Sequence, residues 1–462
     1  MIAVLLVAGV AGLVLFVVLE ERRRPDVALL LAVGVTTIDS ILFPQQDGVP
    51  IGLFRPAIAG QDVRAVDVII LAALAARLLV RGLPRRWTGE GLLWSCLFVW
   101  YAIAGVVGMT RSQPTELILF QEKFVLETGG MAALAAGVPL DLLTRRKVID
   151  RLGLVGGTIA TVAMLLAVSG VSVGLPIAPG AQIGSIKPDA ATMLFTLGSF
   201  VLVVGACRDR PNRLALLGGA VMVCTPLVAD QRAAIAGAMP VVALMALAMN
   251  GRTWRRRSPV RIAGLIPLAA VILVPMSVLA VNGAGAGEGT EAVPFVSRLG
   301  DTFGSEQKLQ SADVRVGIYD QGRELFEERP LLGHGLGQPI RILDFGSDLF
   351  IRIGDFHNVL IDLAVRTGAV GLALYLTATA VTLLAARRRW RSLVHDAYAA
   401  LVLAAGAALA GLFIKGLFET IFQKFRLAML LGLLIGIIAA AANERHHEVK
   451  GTSAAKRELA WT

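Results

Sequence analysis

HNVLIDLAVRTGAVGLALYLTATAVTLLAARRRWR, residues 357–391, passes from a polar entry through a long apolar run into a cluster of arginines. Residues 358–386 of it exceed the roughly 17–25 residues that a helix needs to cross a bilayer. The run stops at Arg387–Arg389 and Arg391, and short cationic loops stay on the cytoplasmic side of a membrane. This one stretch therefore predicts a transmembrane helix and its direction.

The same unit recurs along all 462 residues, 56% of which are hydrophobic. The mean hydropathy is +0.71, and soluble domains average about 45–50% apolar residues. Apolar runs predict spans at about 2–19, 27–43, 65–80, 91–109, 117–139, 152–175, 190–206, 214–229, 233–249, 262–281, 358–386, 396–418 and 427–443. The fold class expected is an all-α polytopic membrane protein of 12 or 13 transmembrane helices. Residues 1–20 read as a retained first span, because they lack a basic leader and a small-residue cleavage site.

A net charge of +10 invites a nucleic-acid reading, but the placement of the charges opposes it. Of the 44 Lys and Arg, 26 lie in short clusters between apolar runs, from Arg22–Arg24 to Arg445, Lys450, Lys456 and Arg457. Alternation of spans puts every cluster on one side, as the positive-inside rule requires. That parity places the C-terminus inside and the N-terminus outside. The domains expected are spans one to ten over 1–281, a large extracytoplasmic loop over 282–357, spans over 358–443, and a cytoplasmic tail over 444–462. Cys96, Cys207 and Cys224 lack metal-ligand spacing and read as small buried apolar residues without a disulfide.

The large loop is too long for the positive-inside rule, and its basic residues are outnumbered by acids. After NGAGAGEGTEAVP (282–294), an amphipathic helix is expected at about 311–328, with Ser311 as N-cap and Pro330 as its stop. A Gly-rich turn, LLGHGLGQP (331–339), and a second polar stretch to Asp355 follow. A long loop with its own helix usually covers a site.

Few residues in these regions carry chemistry. Arg232, in TPLVADQRAAIAGAMP, falls at the bilayer edge, where it snorkels, pairs with Asp230 or meets an anion. Arg315 and Arg323 lie eight residues apart on neighbouring parts of one helical face. They either pair with Asp320, Glu324 and Glu327 or form a fork that grips phosphate oxygens bidentately. His357 stands where the polar loop enters the eleventh span, as an interfacial residue or as a base, since an imidazole titrates near working pH. Asn358 beside it orients the ring or binds a sugar hydroxyl. His334, between glycines, reads as a tolerated turn residue. GHGLG is too short for a dinucleotide fingerprint and follows a helix. No His, Asp or Glu cluster has metal-ligand spacing, so no cofactor is expected.

The order of these features resembles the bacterial O-antigen ligase and polymerase family. The resemblance is strongest from Arg315 to about Leu376: Arg315 with Tyr319, then LFEERPLLGHGLG (325–337), then HNVLIDLAVRTGAVGLALYL (357–376). DQRAAIAG (230–237) is similar to the family's intramembrane Arg segment, with Gln231 in place of a small polar residue. The resemblance implies an inverting, metal-independent glycosyltransferase of the bacterial cytoplasmic membrane whose site faces the periplasm or exterior. Its donor would be an undecaprenyl-diphosphate-linked glycan. Its acceptor would be lipid A-core, for a ligase, or another carrier-linked glycan, for a polymerase. His357, Arg232 and Arg315 are then the catalytic residues, and Arg323 and Asn358 bind substrate; nucleic acid has no part. Two other readings make different use of the chain. One is a glycosyltransferase with Asp47 or Asp62 of an early external loop as base. The other is a lipid-linked glycan flippase or secondary transporter built around Lys415 and Glu419.

Overall fold

A computed structural model describes residues 2–42, 57–58, 61–62, 64–81, 88–169, 173–175, 178–183, 188–208, 210–227, 306–344, 349–353 and 356–459. Among the described residues the chain is a helical bundle carrying three short antiparallel hairpins. The described helices before the late loop are α1 (Ile2–Arg23), α2 (Pro25–Leu42), α3 (Ala65–Arg81), α4 (Gly89–Thr110), α5 (Thr115–Phe124), α6 (Gly130–Ala136), α7 (Leu140–Leu143), α8 (Arg146–Ser169), α9 (Pro188–Ala206) and α10 (Arg213–Val223). Then come α11 (Glu306–Glu328), α12 (Val359–Ser392), α13 (Asp396–Gly416) and α14 (Phe425–Leu459).

Six of these segments are long and apolar enough to cross a membrane: Gly89–Thr110, Arg146–Leu166, Asp189–Ala206, Val359–Ser392, Asp396–Gly416 and Phe425–Ala442. The protein is thus an all-α, multi-pass membrane protein. Burial sorts its helices. The spans of α9 and α14 are 89% buried and form the centre, whereas those of α4, α8 and α12 are 33% buried and turn most of their surface outward. Exposed Val99 and Val106 on α4, and Leu154, Val155 and Leu165 on α8, make that outer surface apolar, as lipid contact requires.

Local sequence sets the helix ends. Pro25 begins α2, where its missing N–H costs nothing, and Asp26 follows in the first turn. Thr88 caps α4 by accepting from Gly91 N at 3.2 Å, and Asn212 caps α10 by accepting from Leu214 N and Ala215 N. The expected fifth span is one rod made of α5, a single π turn (Val125–Gly129) and α6.

The basic clusters within the described residues converge on one end. Arg24 and Arg145, Lys147 and Arg151 border one cleft, and Arg208 donates to Thr144 O at 2.6 Å and reaches Asp150 at 3.5 Å. Alternating helix direction sends the end of α4 and the start of α12 to the opposite end.

Three expectations need correction. Ser311 does not cap the loop helix: α11 begins at Glu306, because EQKLQ contains only good helix formers and no breaker. The sixth span ends at Ser169 rather than 175; Val173–Leu175 instead pairs with Ala178–Ile183, and the proline that follows Leu175 in the sequence disfavours helix there. The stretch towards Asp355 is a hairpin, Ile340–Asp344 paired with Leu349–Ile353. The expected spans at 233–249 and 262–281 lie outside the described residues.

Candidate active site

At the end opposite the basic clusters, the turn after α11 is clamped between helices. Arg111 donates to Gly333 O at 2.7 Å, Leu336 N to Ala104 O at 2.9 Å, and Gly337 N to Gln121 Oε1 at 2.7 Å. Gln113 donates to Gln338 Oε1 at 2.6 Å. On the other side α12 breaks at Gly368, whose φ is +66°. The break releases carbonyls, and the turn satisfies them: His334 N donates to Val365 O at 2.8 Å and Gly335 N to Arg366 O at 3.0 Å. Gly335 has φ +86°, and a Cβ there would stand 2.4 Å from Gly108 N. Only glycine meets both demands.

This clamp fixes the first two turns of α12, and with them His357 and Asn358. Asn358 is the N-cap: its Oδ1 accepts from Leu360 N at 2.8 Å and Ile361 N at 3.3 Å. Its Nδ2 donates to Leu417 O at 3.0 Å, just beyond α13. Both ends of the amide are therefore engaged within the protein. His357, half-buried, has φ +52°. A non-glycine residue held in the left-handed region costs about 1–3 kcal/mol and persists only where its surroundings fix it. Here the fully buried Phe356 precedes it and the Asn358 cap follows it.

Helix α11 lies across this start. Ile318 packs with Ile340, Phe356 and Val365, and Tyr319, Leu325 and Ile361 border the cluster. At Gly322 an added Cβ would meet Ile361 at 2.5 Å, so the two helices touch there. Arg315 is exposed one turn before Ile318. Arg323 is 68% exposed and lies 3.8 Å from Glu327, the pairing with a neighbouring acid that the sequence also permits.

His334 is buried, with Nε2 2.7 Å from Leu325 O and 3.6 Å from Glu328. Burial, the largest influence, holds its imidazole below the usual pKa. Arg111 likewise falls below the usual guanidinium value, first through burial and then through the neighbouring Arg329. Both are tied to Gly333, whose carbonyl accepts from Arg111 and whose N–H donates to Arg329 O at 3.1 Å.

A buried ion pair one turn inside α12 was unforeseen. Arg366 and Asp362 are both fully buried, with Nε 2.6 Å from Oδ1, and Gln423 donates to the same oxygen at 3.2 Å. The i, i+4 spacing of Asp362 and Arg366 was the available signal. Lys415 lies 3.0 Å from Glu419 and 4.0 Å from Asp189, a second buried ion group near the end of α13. Arg232, Asp47 and the side chain of Asp62 lie outside the described residues.

Residues 217–376 match the family described as O-antigen ligase. The match makes this segment similar to that family and covers about a third of the 462 residues. The matched segment takes in Arg232, α11, the glycine turn and α12 as far as Leu376. No curated protein matches the chain.

Proposed function

We propose that the protein is an inverting glycosyltransferase that moves a glycan from an undecaprenyl-diphosphate carrier to a lipid or glycan acceptor, on the side of the cytoplasmic membrane away from the basic clusters. The observation that carries this reading is the O-antigen ligase match over residues 217–376, which contains His357, Asn358, Arg232, Arg315 and Arg323. The domain division into spans over 1–281, an external loop over 282–357, spans over 358–443 and a tail over 444–462 belongs to the same reading.

The chemistry divides among these residues. The imidazole of His357 takes the proton of the acceptor hydroxyl. The hydroxyl oxygen attacks the anomeric carbon on the face opposite the diphosphate, and the bond from that carbon to the diphosphate oxygen breaks. The leaving diphosphate keeps the electron pair, and Arg232 and Arg315 stabilise the added charge. Guanidinium groups supply here the positive charge that a divalent metal gives other transferases. Arg323, turned towards Glu327, adds weaker attraction for the carrier. Asn358, with its amide engaged, positions His357 rather than gripping sugar.

The test is reconstitution of the purified chain with a lipid-linked glycan and an acceptor. The reading expects release of undecaprenyl diphosphate with formation of an anomerically inverted product, and the same yield in excess EDTA. Transfer to lipid A-core defines a ligase, and transfer to a second carrier-linked glycan a polymerase. Intact donor moved across the bilayer would show a flippase and reject the reading.

A further inference from the structure

At the basic end of the bundle a cleft of about 670 Å³ opens between α2 and α8, with Leu197 of α9 and Met222 of α10 deeper inside. Its two ends are chemically opposite. Arg24, Arg145, Lys147 and Arg151 surround the mouth, and Asp26 is the one acid that lines it. Arg24 reaches Asp26 at 3.4 Å and Arg145 reaches Asp141 at 3.2 Å. Among the described residues, no carboxylate pairs with Lys147 or Arg151. Beyond the mouth the walls are Leu30, Val33, Gly34, Val155 and Ile159.

A water-soluble anion gains nothing from such walls, and a hydrocarbon chain gains nothing from such a mouth. A molecule with both parts uses the whole cleft. From Pro25 to Thr37, the part of α2 beside the cleft is thirteen residues long, about 20 Å at 1.5 Å per residue. The hydrocarbon core is about 30 Å thick, so the cleft reaches about as deep as one leaflet.

We propose that this cleft binds one acidic glycerophospholipid of the inner leaflet. Its phosphodiester sits among Arg24, Arg145, Lys147 and Arg151, and an acyl chain lies along α2 and α8. Basic pockets between transmembrane helices on the cytoplasmic side hold acidic headgroups in this way. A zwitterionic lipid offers the same chains but brings an ammonium group up to four cations. The site lies at the end of the bundle opposite His357 and does not depend on the transfer chemistry.

The full chain in neutral detergent, titrated with fluorescent dioleoyl phosphatidylglycerol or phosphatidylcholine, tests it. Phosphatidylglycerol should bind at least about tenfold tighter, one binding-energy decade of about 1.4 kcal/mol. The double variant Lys147→Gln, Arg151→Gln should erase that preference. Gly34→Leu should weaken both lipids, because a Cβ at Gly34 meets nothing within 4 Å and the added side chain enters the acyl path. Glycerol phosphate should compete only at far higher concentration. Equal affinity for the two lipids would overturn the proposal, as would a preference that survives both variants. Displacement by glycerol phosphate at equal concentration would leave the chain slot without a role. Stronger binding of undecaprenyl phosphate than of phosphatidylglycerol would assign the cleft to the carrier instead.

Discussion

Two arginines on one helix face have different surroundings, and the transfer chemistry predicts different consequences for them. Arg315→Ala should abolish transfer, and Arg315→Lys should recover little of it, because an ammonium cannot present the planar fork that grips two phosphate oxygens. Arg323→Ala should cost less, since Arg323 faces Glu327 at an exposed position, where ion pairs are weak. Turnover assays of the three variants decide this; near-normal rates for Arg315→Lys would show that diffuse charge suffices. His334 has another role. It ties the glycine turn to Leu325 O at 2.7 Å, so His334→Ala should lower the melting temperature, with a loss of about 0.5–1.5 kcal/mol, and leave turnover per folded molecule unchanged. Burial lowers its folded-state pKa. The unfolded chain therefore binds the proton more readily, and His334's contribution is present above its unfolded value of about 6.5 and lost as pH falls below it. Melting wild type and variant from neutral to acid pH should show their difference shrink. The glycine turn was legible as a pattern, and His357 and Arg315 as residue types whose roles the transfer chemistry proposes, whereas Arg366 was passed over. It sits in an apolar run where a charge reads as an interruption; its i, i+4 spacing to Asp362 was the available signal, and the fold adds Gln423 beside the pair.

Elements were legible wherever a single period governs them. The apolar runs gave α4, α9 and α13 to within about two residues at each end, because lipid and core both demand apolar side chains on a helix; α12 starts where expected but runs on past 386 through the arginines to Ser392. The hairpin Ile340–Asp344 with Leu349–Ile353 escaped notice because only residues 340–342 and 351–353, each reading IRI, alternate between apolar and polar. Alternation that short is a weak signal beside a strong helical neighbour. The break of α12 at Gly368 was equally hidden, since hydropathy does not change there; its cause is the turn that docks into it from far along the chain. That docking predicts a sharp intolerance. Gly335→Ala places a Cβ 2.4 Å from Gly108 N at a φ of +86°. It should reduce the yield of folded protein and donor binding together, by size-exclusion profile and a binding assay. A variant that folds and binds normally would mean that the clamp does not hold the start of α12.

For the whole molecule, the convergence of Arg24, Arg145, Lys147, Arg151 and Arg208 at one end gives the positive-inside rule a physical surface. The topology read from it puts reporter fusions at Gly251 and Arg389 in the cytoplasm and those at Gly287 and Gly346 outside. Finding Gly287 and Arg389 on the same side would invert the argument for an external site. The central claim is that His357 is the base of glycan transfer. The most direct measurement is a single-turnover reaction, with donor binding measured separately, for wild type and His357→Ala. The account predicts near-normal expression and donor affinity, with transfer slowed by about 10²–10⁴-fold. Weak donor binding with normal transfer of whatever donor is bound would contradict it, and would make His357 a ligand of the carrier rather than the base.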